Sequence, residues 1–134
     1  MKGIADTGFL VAFAARRDRH HDWATEVAAG VTEPLLTCEA VLAEASFQLE
    51  SVQVVLAMVT DGLVRTAFDA GEHTDRLHRL ARKYGDRRPD LADLCLVRMS
   101  ELHPHHPVIT VDRDFRVYRR NGREVIPVIM PPGR

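Results

Sequence analysis

Four acidic residues lie in apolar surroundings at widely separated positions of the chain, namely Asp6, Glu44, Asp93 and Asp112. Asp6 and Asp112 directly follow the short apolar segments "GIA" and "VITV". Glu44 and Asp93 lie within "AVLAEASF" and "DLADLCLV". A carboxylate among apolar residues costs free energy unless something compensates it. A cluster of carboxylates repels itself and persists when a divalent cation neutralises it, so the four acids together indicate a metal site.

Ligands that are all oxygen atoms favour Mg²⁺ or Mn²⁺ over Zn²⁺, which prefers nitrogen and sulfur. A cation held by carboxylates can lower the pKa of a bound water, orient a phosphate and stabilise charge on the leaving oxygen. This set of residues is therefore suited to hydrolysis of a phosphodiester bond. Each acid alone is more readily explained as a helix-start charge or a hydrogen-bonded buried acid, so the hypothesis depends on all four.

The elements that must position these acids alternate along the chain. Strand-like patterns cover residues 2–6, 34–37, 63–68, 107–111 and 124–130. Helical patterns cover residues 7–16, 20–30, 38–49, 52–62, 72–84 and 89–102. Such alternation predicts an α/β fold, and we expect one three-layer α/β/α domain over residues 1–134 with a parallel sheet of about five strands. Ligands of such sheets bind at the carboxyl ends of the strands, where Asp6 and Asp112 are placed.

Four longer segments resemble, in order, the successive motifs of the PIN-domain ribonucleases, and in particular the VapC-type toxins of type II toxin–antitoxin pairs. They are "IADTGFLVAF", "LLTCEAVLAEASFQL", "YGDRRPDLADLCLVRMSE" and "ITVDRDFRVYRRNGR". The resemblance covers nearly the whole chain. It implies an endoribonuclease that depends on Mg²⁺ or Mn²⁺, a VapB-type antitoxin as inhibitor and a homodimer. The family's four acids match Asp6, Glu44, Asp93 and Asp112 of this sequence.

Four further residues are expected to support this site. Thr7 and Thr110 match hydroxyl positions that lie beside the acids in the family. Asp90 matches a recurrent acid one helical turn before the third acid. Asp114 lies beyond the strand, so we expect it to begin a turn, with Phe115 anchoring that turn against the core.

The sequence departs from the family pattern at two places. Gly8 stands where Ser or Thr is also common, and we expect no effect of this difference on metal binding. The compact "TVDRDF" differs in spacing from related chains, and this leaves the role of Asp114 open between a structural residue and one that holds an outer water.

Two basic segments, "RLHRLARKYGDRR" and "RDFRVYRRNGR", contain most of the arginines in the second half of the chain. Their arginines can neutralise phosphates, and the interleaved Tyr84, Phe115 and Tyr118 can stack on bases. An exposed helix face followed by a turn explains the same pattern equally well. The net charge of −1 neither demands nor excludes a nucleic acid as partner.

Other functions are weighed against the nuclease hypothesis. The histidines of "HPHH" and "HH" are of a type that Zn²⁺ sites use, but "HPHH" lies in a proline-rich loop without fixed ligand spacing. An aspartyl-phosphate phosphatase would need a second Asp at the position of Gly8. A PIN-like module that binds a partner, with weak or no nuclease activity, stays open as the alternative.

Length and composition favour one domain, because 134 residues with 46% hydrophobic content suffice for a single core. The apolar runs are much shorter than the roughly 20 residues that span a bilayer, so no membrane segment is expected. The first residues lack the pattern of a signal peptide, which favours the cytoplasm. Cys38 and Cys95 have no CxxC neighbour, and we expect two packed thiols.

Overall fold

The computed structural model describes all 134 residues, and strands alternate with helices along the chain. The seven strands are β1 (Ile4–Ala5), β2 (Leu35–Thr37), β3 (Val64–Thr66), β4 (Val108–Ile109), β5 (Arg119–Arg120), β6 (Glu124–Val125) and β7 (Val128–Ile129). The six α-helices are α1 (Thr7–Ala14), α2 (His21–Ala29), α3 (Glu39–Leu49), α4 (Val52–Thr60), α5 (Thr74–Lys83) and α6 (Leu91–Leu102). Short 3₁₀ turns cover Ala70–His73, Gly85–Arg87 and Arg113–Arg116.

Five of the strands form one parallel sheet in the order β3-β2-β1-β4-β7. Ile4 of β1 lies opposite Leu36 of β2 and Val108 of β4. The residues of these three strands are buried, as expected where helices cover both faces of a parallel sheet. The predicted α/β class and the five parallel strands are therefore confirmed, with helices flanking the sheet.

The order of the strands reverses at β1. From β1 the chain continues to β2 and β3 on one side of the sheet, and it later forms β4 and β7 on the other side. The carboxyl ends of strands at such a reversal form a crevice in parallel sheets. Asp6 directly follows β1, and Thr110 and Asp112 follow β4. Both predicted strand-end acids therefore lie at this crevice.

The boundary between α3 and α4 has a clear local cause. Glu50 has a φ of 53°, in the left-handed region that ends a helix. Ser51 then begins α4, because its hydroxyl oxygen accepts a hydrogen bond from the backbone N–H of Val54 at 3.2 Å. A serine cap of this kind contributes about 1 kcal/mol. α4 buries Val55 and Met58 and leaves much of its remaining apolar surface exposed.

The prediction of one strand over residues 124–130 is wrong. Glu124–Val125 pairs antiparallel with Arg119–Arg120, whereas Val128–Ile129 joins β4 in the main sheet. Pro127 separates the two strands and has no N–H to donate to a ladder. The hairpin closes through Asn121 and Gly122, with φ values of 50° and 87°. An Asn-Gly pair is a turn signal, so this hairpin was readable from the sequence.

Cys38 and Cys95 are both buried in the core as free thiols, in agreement with the prediction of packed thiols. The longest helix, α6, has 12 residues, of which seven are buried. None of the helices combines the length and the apolar character that a transmembrane span requires.

Candidate metal centre

Asp6 links β1 to α1 and is held by hydrogen bonds on both of its carboxylate oxygens. Oδ1 accepts the backbone N–H of Thr7 at 2.7 Å, which caps α1, and Oδ2 accepts the hydroxyl of Thr110 at 2.6 Å. Its own N–H donates to Ile109 of β4. Burial raises the pKa of Asp6 to about 6, although both hydrogen bonds act in the opposite direction. The protein thus fixes this acid in place without a positive charge beside it.

Thr110 connects Asp6 to Asp112. Besides donating to Asp6, the Thr110 hydroxyl oxygen accepts the N–H of Asp112 at 2.9 Å. Asp112 Oδ1 in turn accepts the N–H of Asp114 at 2.8 Å and so begins the turn that follows. One threonine hydroxyl therefore sets the spacing between the two strand-end acids.

Asp114 has the role in the turn that the sequence suggested. It lies in the first turn of the 3₁₀ segment, and its Oδ1 accepts a hydrogen bond from the Arg87 guanidinium at 3.1 Å. Phe115 is fully buried, so the predicted anchor of this turn is confirmed. The ion pair joins the loop before α6 to the turn that carries Asp112.

Glu44 lies in α3 and contacts the start of α1. Its Oε1 accepts a hydrogen bond from the hydroxyl of Thr7 at 2.8 Å. Burial raises the pKa of Glu44 to about 7, and a hydrogen bond with the Asp90 carboxyl group adds to this shift. Burial and the neighbouring carboxyl group of Asp90 therefore both favour the protonated form of Glu44.

Asp90 and Asp93 form a capping box at the start of α6. Asp90 Oδ1 accepts the N–H of Asp93 at 2.8 Å, and Asp93 Oδ2 accepts the N–H of Asp90 at 3.3 Å. Burial, followed by the charges of Asp90, Asp6 and Asp112, raises the pKa of Asp93 to about 7. The pKa of Asp93 is therefore raised by the charges of the strand-end acids as well as by its neighbour in α6.

The site has carboxylates and hydroxyls but no cation of its own. The ion pairs of the structure are Arg76–Glu101, Arg87–Asp114, Arg98–Glu101 and Arg120–Glu124, so none involves the four predicted acids. An all-oxygen donor set of this charge suits Mg²⁺ or Mn²⁺ in kind. However, no three Asp, Glu, His or Cys side chains of the chain lie close enough together to hold a metal ion in this conformation. Binding would therefore require the carboxylates to close around the ion.

Comparison with known families identifies the family of the chain. The profile of the PIN domain matches residues 4–121, which cover all of the elements that carry the predicted site. The chain belongs to the PIN-domain family. PIN domains are generally nucleases. No curated protein matches the chain significantly.

The aromatic residues of this PIN domain do not have the role in base stacking that the basic segments suggested. Tyr84, Phe115 and Tyr118 are all buried, with Tyr118 packed edge-on against the other two rings at 5.0 and 5.2 Å between centroids. Their faces are unavailable to nucleic acid, so that interpretation is wrong. The structure also contains a contact between this cluster and the site that the sequence did not predict. The Tyr118 hydroxyl donates to Asp93 Oδ2 at 3.4 Å.

The arginines of the PIN domain fall into two groups. Arg76 and Arg98 bind Glu101, and the buried Arg120 donates to the carbonyl oxygens of residues 100 and 104. These three are structural. Arg88 lies two residues before Asp90 and Arg113 directly follows Asp112; both side chains are exposed and form no hydrogen bond. The free guanidinium groups nearest in sequence to the acids are therefore Arg88 and Arg113.

Gly8 is explained by a close approach within the PIN domain. A Cβ atom at this position would lie 2.4 Å from Val111 Cγ2, so any larger residue would have to displace Val111 or α1. Val111 immediately precedes Asp112. The departure from Ser or Thr at position 8 is thus matched by a branched side chain at position 111, and the two together set how closely the start of α1 approaches the end of β4.

Proposed function

We propose that this PIN domain is an endoribonuclease dependent on Mg²⁺ or Mn²⁺, and that it acts in the cytoplasm as the toxin of a VapBC-type pair. The observation that carries the proposal is the convergence of acids from four separate segments at the reversal of strand order. Three of these acids, Asp6, Glu44 and Asp93, have raised pKa values because they are buried or crowded by like charge. Such a group is stabilised by an added divalent cation.

The residues that would hold the cation are Asp6, Glu44, Asp93 and Asp112. When bound, the ion lowers the pKa of a water and neutralises charge on the scissile phosphate. Thr7 and Thr110 keep Glu44 and Asp6 in place through their hydroxyls. Cation binding would favour the ionised form of Glu44, whose pKa is raised, because a carboxyl group coordinates in its ionised form.

The RNA backbone is proposed to lie against Arg88 and Arg113. Both side chains are exposed and form no hydrogen bond within the chain, and they lie within two residues of Asp90 and Asp112. Phosphate contacts by arginine are electrostatic and depend on salt. These two contacts cannot select which RNA sequence is cut, because phosphate contacts carry no sequence information.

The nuclease proposal is tested by RNA cleavage with Mg²⁺ or Mn²⁺ in the wild type, Asp6→Asn and Asp93→Asn. We expect both variants to lose at least about 100-fold in rate, more than is typical for residues that only support a metal ligand. Asp22→Asn, in the exposed first turn of α2, is the matched control and should cleave like the wild type. The proposal fails if neither metal supports cleavage of any RNA tested, or if both site variants cut normally.

An apolar groove beside the acids supports the proposed antitoxin. Its cavity of about 590 Å³ is lined by Cys38, Ala40, Phe68 and Leu91, among others. Cys38 begins the helix of Glu44, and Leu91 lies between the two acids of α6. The proposed occupant is an antitoxin segment with apolar side chains in the groove and an Arg or Lys among the carboxylates. Growth arrest on expression, relieved by co-expression of a small neighbouring reading frame, is the expected result, and unaffected growth contradicts the toxin role.

The proposed homodimer uses the outer surface of α3 and α4. Phe47, Val52, Val54 and Leu56 are between 42% and 84% exposed, and α4 contains no charged residue. An apolar surface of this kind is typical of an interface. A second copy of the chain would bury this surface, with the same patch of each subunit forming the contact. Light scattering should give a dimer for the wild type and a monomer for Leu56→Glu, and a monomeric wild type would contradict this arrangement.

One observation favours the alternative function, a module that binds a partner with weak or no nuclease activity. The carboxylates are not gathered at metal-ligand distances. Mn²⁺ titration separates the two functions, because a nuclease must bind the ion through its acids. An absence of Mn²⁺ binding, together with tight binding of a protein partner, would favour the module.

A further inference from the structure

The hydroxyl of Tyr118 is directed out of an aromatic cluster at a site acid. The ring is 1% exposed and lies between Tyr84 and Phe115. A buried tyrosine hydroxyl costs free energy unless it finds a partner. The one hydrogen bond that this hydroxyl makes is to Asp93 Oδ2, at 3.4 Å. The residue thus combines an apolar ring in the core with a polar contact at the crevice.

Asp93 is held through one of its two carboxylate oxygens. Oδ2 accepts both the Tyr118 hydroxyl and the backbone N–H of Asp90. Oδ1 accepts no hydrogen bond within the chain. The two donors on the same oxygen set the rotation of the carboxylate and leave Oδ1 available.

We propose that Tyr118 is a positioning residue for the metal site, which holds Oδ2 of Asp93 so that Oδ1 is presented to the cation. This inference rests on the proposed metal-dependent function. Tyr118 is also tied to the turn after Asp112, because its N–H donates to the carbonyl oxygen of Asp114 at 2.9 Å. Its hydroxyl therefore couples the orientation of the α6 acid to the segment that carries Asp112.

Tyr84 provides a matched control from the same cluster. Its ring packs against Tyr118, and its hydroxyl accepts a hydrogen bond from the N–H of Arg119 at 2.8 Å. It makes no contact with an acid of the site through that hydroxyl. Removal of either hydroxyl is therefore the same chemical change in the same core, and only one of the two changes involves Asp93.

The experiment is a Mn²⁺ titration followed by the electron paramagnetic resonance signal of the free ion. Tyr118→Phe should bind Mn²⁺ about tenfold more weakly, which is the lower end of the loss seen when an outer partner of a metal ligand is removed. Tyr84→Phe should bind within about twofold of the wild type, since outer-partner losses begin near tenfold. Thermal melts without metal test whether both variants remain folded.

A second background separates positioning from general destabilisation. In Asp93→Asn, the further change Tyr118→Phe should leave Mn²⁺ affinity unchanged, because the oxygen that Tyr118 orients no longer belongs to a carboxylate. Equal affinities of Tyr118→Phe and wild type overturn the proposal and leave the metal-dependent function standing. An equal loss in Tyr84→Phe, or a full loss in the Asp93→Asn background, also overturns it. A wild type that binds no Mn²⁺ overturns both the positioning role and the proposed function.

Discussion

Two acids of α6, about two turns apart, are held in opposite ways. Near the end of the helix, the Glu101 side chain is 2% exposed and accepts hydrogen bonds from Arg76, Arg98 and the N–H of Asn121. Burial alone would raise the pKa of Glu101, but these hydrogen bonds and charges lower it below its ordinary value. Near the start of the helix, burial and neighbouring acids raise the pKa of Asp93 to about 7.

The difference between these acids distinguishes a structural carboxylate from a candidate functional one. Glu101 is surrounded by cations that the chain itself supplies, so its charge is satisfied once the protein folds. Asp93 is surrounded by like charges, and its hydrogen bonds come from one N–H and one hydroxyl. A protein maintains such crowding where the compensating charge comes from outside. Burial of an acid is therefore a poor guide to function until its partners are known.

The largest expected effect is on stability, at Glu101. Glu101→Gln leaves two guanidinium groups without their carboxylate, and removal of one partner from a buried ion pair typically costs about 3 kcal/mol. Urea unfolding should show this loss, whereas Arg87→Gln should cost less than about 1 kcal/mol because both members of its ion pair are about 40% exposed. RNA cleavage at a temperature where the variant is folded should be unchanged. Similar stability of the two variants would contradict the structural role of Glu101.

The second effect is the stabilisation of the site by a metal. At a Mn²⁺ concentration about 100 times its Kd, the folded state should gain about 2.7 kcal/mol. The gain should be present in the wild type and in Glu101→Gln, and clearly smaller in Asp93→Asn, which keeps only the other three acids as ligands. Denaturant melts with and without Mn²⁺ measure it. Equal stabilisation of Asp93→Asn and wild type would place the metal elsewhere.

The sequence was sufficient to predict the elements that place the acids. Strands of buried β-branched residues and the alternation with helices define a parallel sheet, and this puts the residues after β1 and β4 at one edge. Asp6 and Asp112 were therefore located before any contact was known. That these two acids and the α6 acids bind metal is still a prediction.

The partners of individual side chains were not predictable, because they depend on tertiary contacts between distant segments. Glu101 binds Arg76 from 25 residues earlier, and no local pattern separates that arginine from the free Arg88. The burial of Tyr118 follows from the turn after Asp112 folding back on Tyr84. The split of residues 124–130 depended on a hairpin whose Asn-Gly signal was overlooked.

The third effect is a pH dependence of opposite sign in the two regions. The pKa of Asp6 is about 6 in the folded protein, above its ordinary value of about 4, so the folded state binds more protons between these pH values. This contribution to stability is fully present below about pH 4 and is lost as the pH rises to about 7. Glu101 behaves in the opposite way, because its lowered pKa gives stability above about pH 4 that is lost on further acidification.

Urea unfolding between pH 5 and 8 with a chelator measures the Asp6 contribution. The free energy of unfolding should fall by about 1.4 kcal/mol more in the wild type than in Asp6→Asn. Subtracting the two pH dependences cancels the contribution of histidines such as His103 and His106. Their lowered pKa values act in the opposite direction and are common to both proteins. A wild type with the same pH slope as Asp6→Asn would mean that burial does not raise the pKa of Asp6 in solution.

The smallest expected effect is a gain in stability from removal of a site acid. Glu44→Gln keeps an oxygen to accept the Thr7 hydroxyl and removes one negative charge beside Asp90 and Asp6. Without metal and at pH 8, where Glu44 is ionised, relief of repulsion should stabilise the protein by about 1 kcal/mol. Saturating Mn²⁺ should reverse the order, because the variant has lost a ligand. Glu101→Gln loses stability under both conditions, so a loss in Glu44→Gln without metal would mean that Glu44 is held like Glu101.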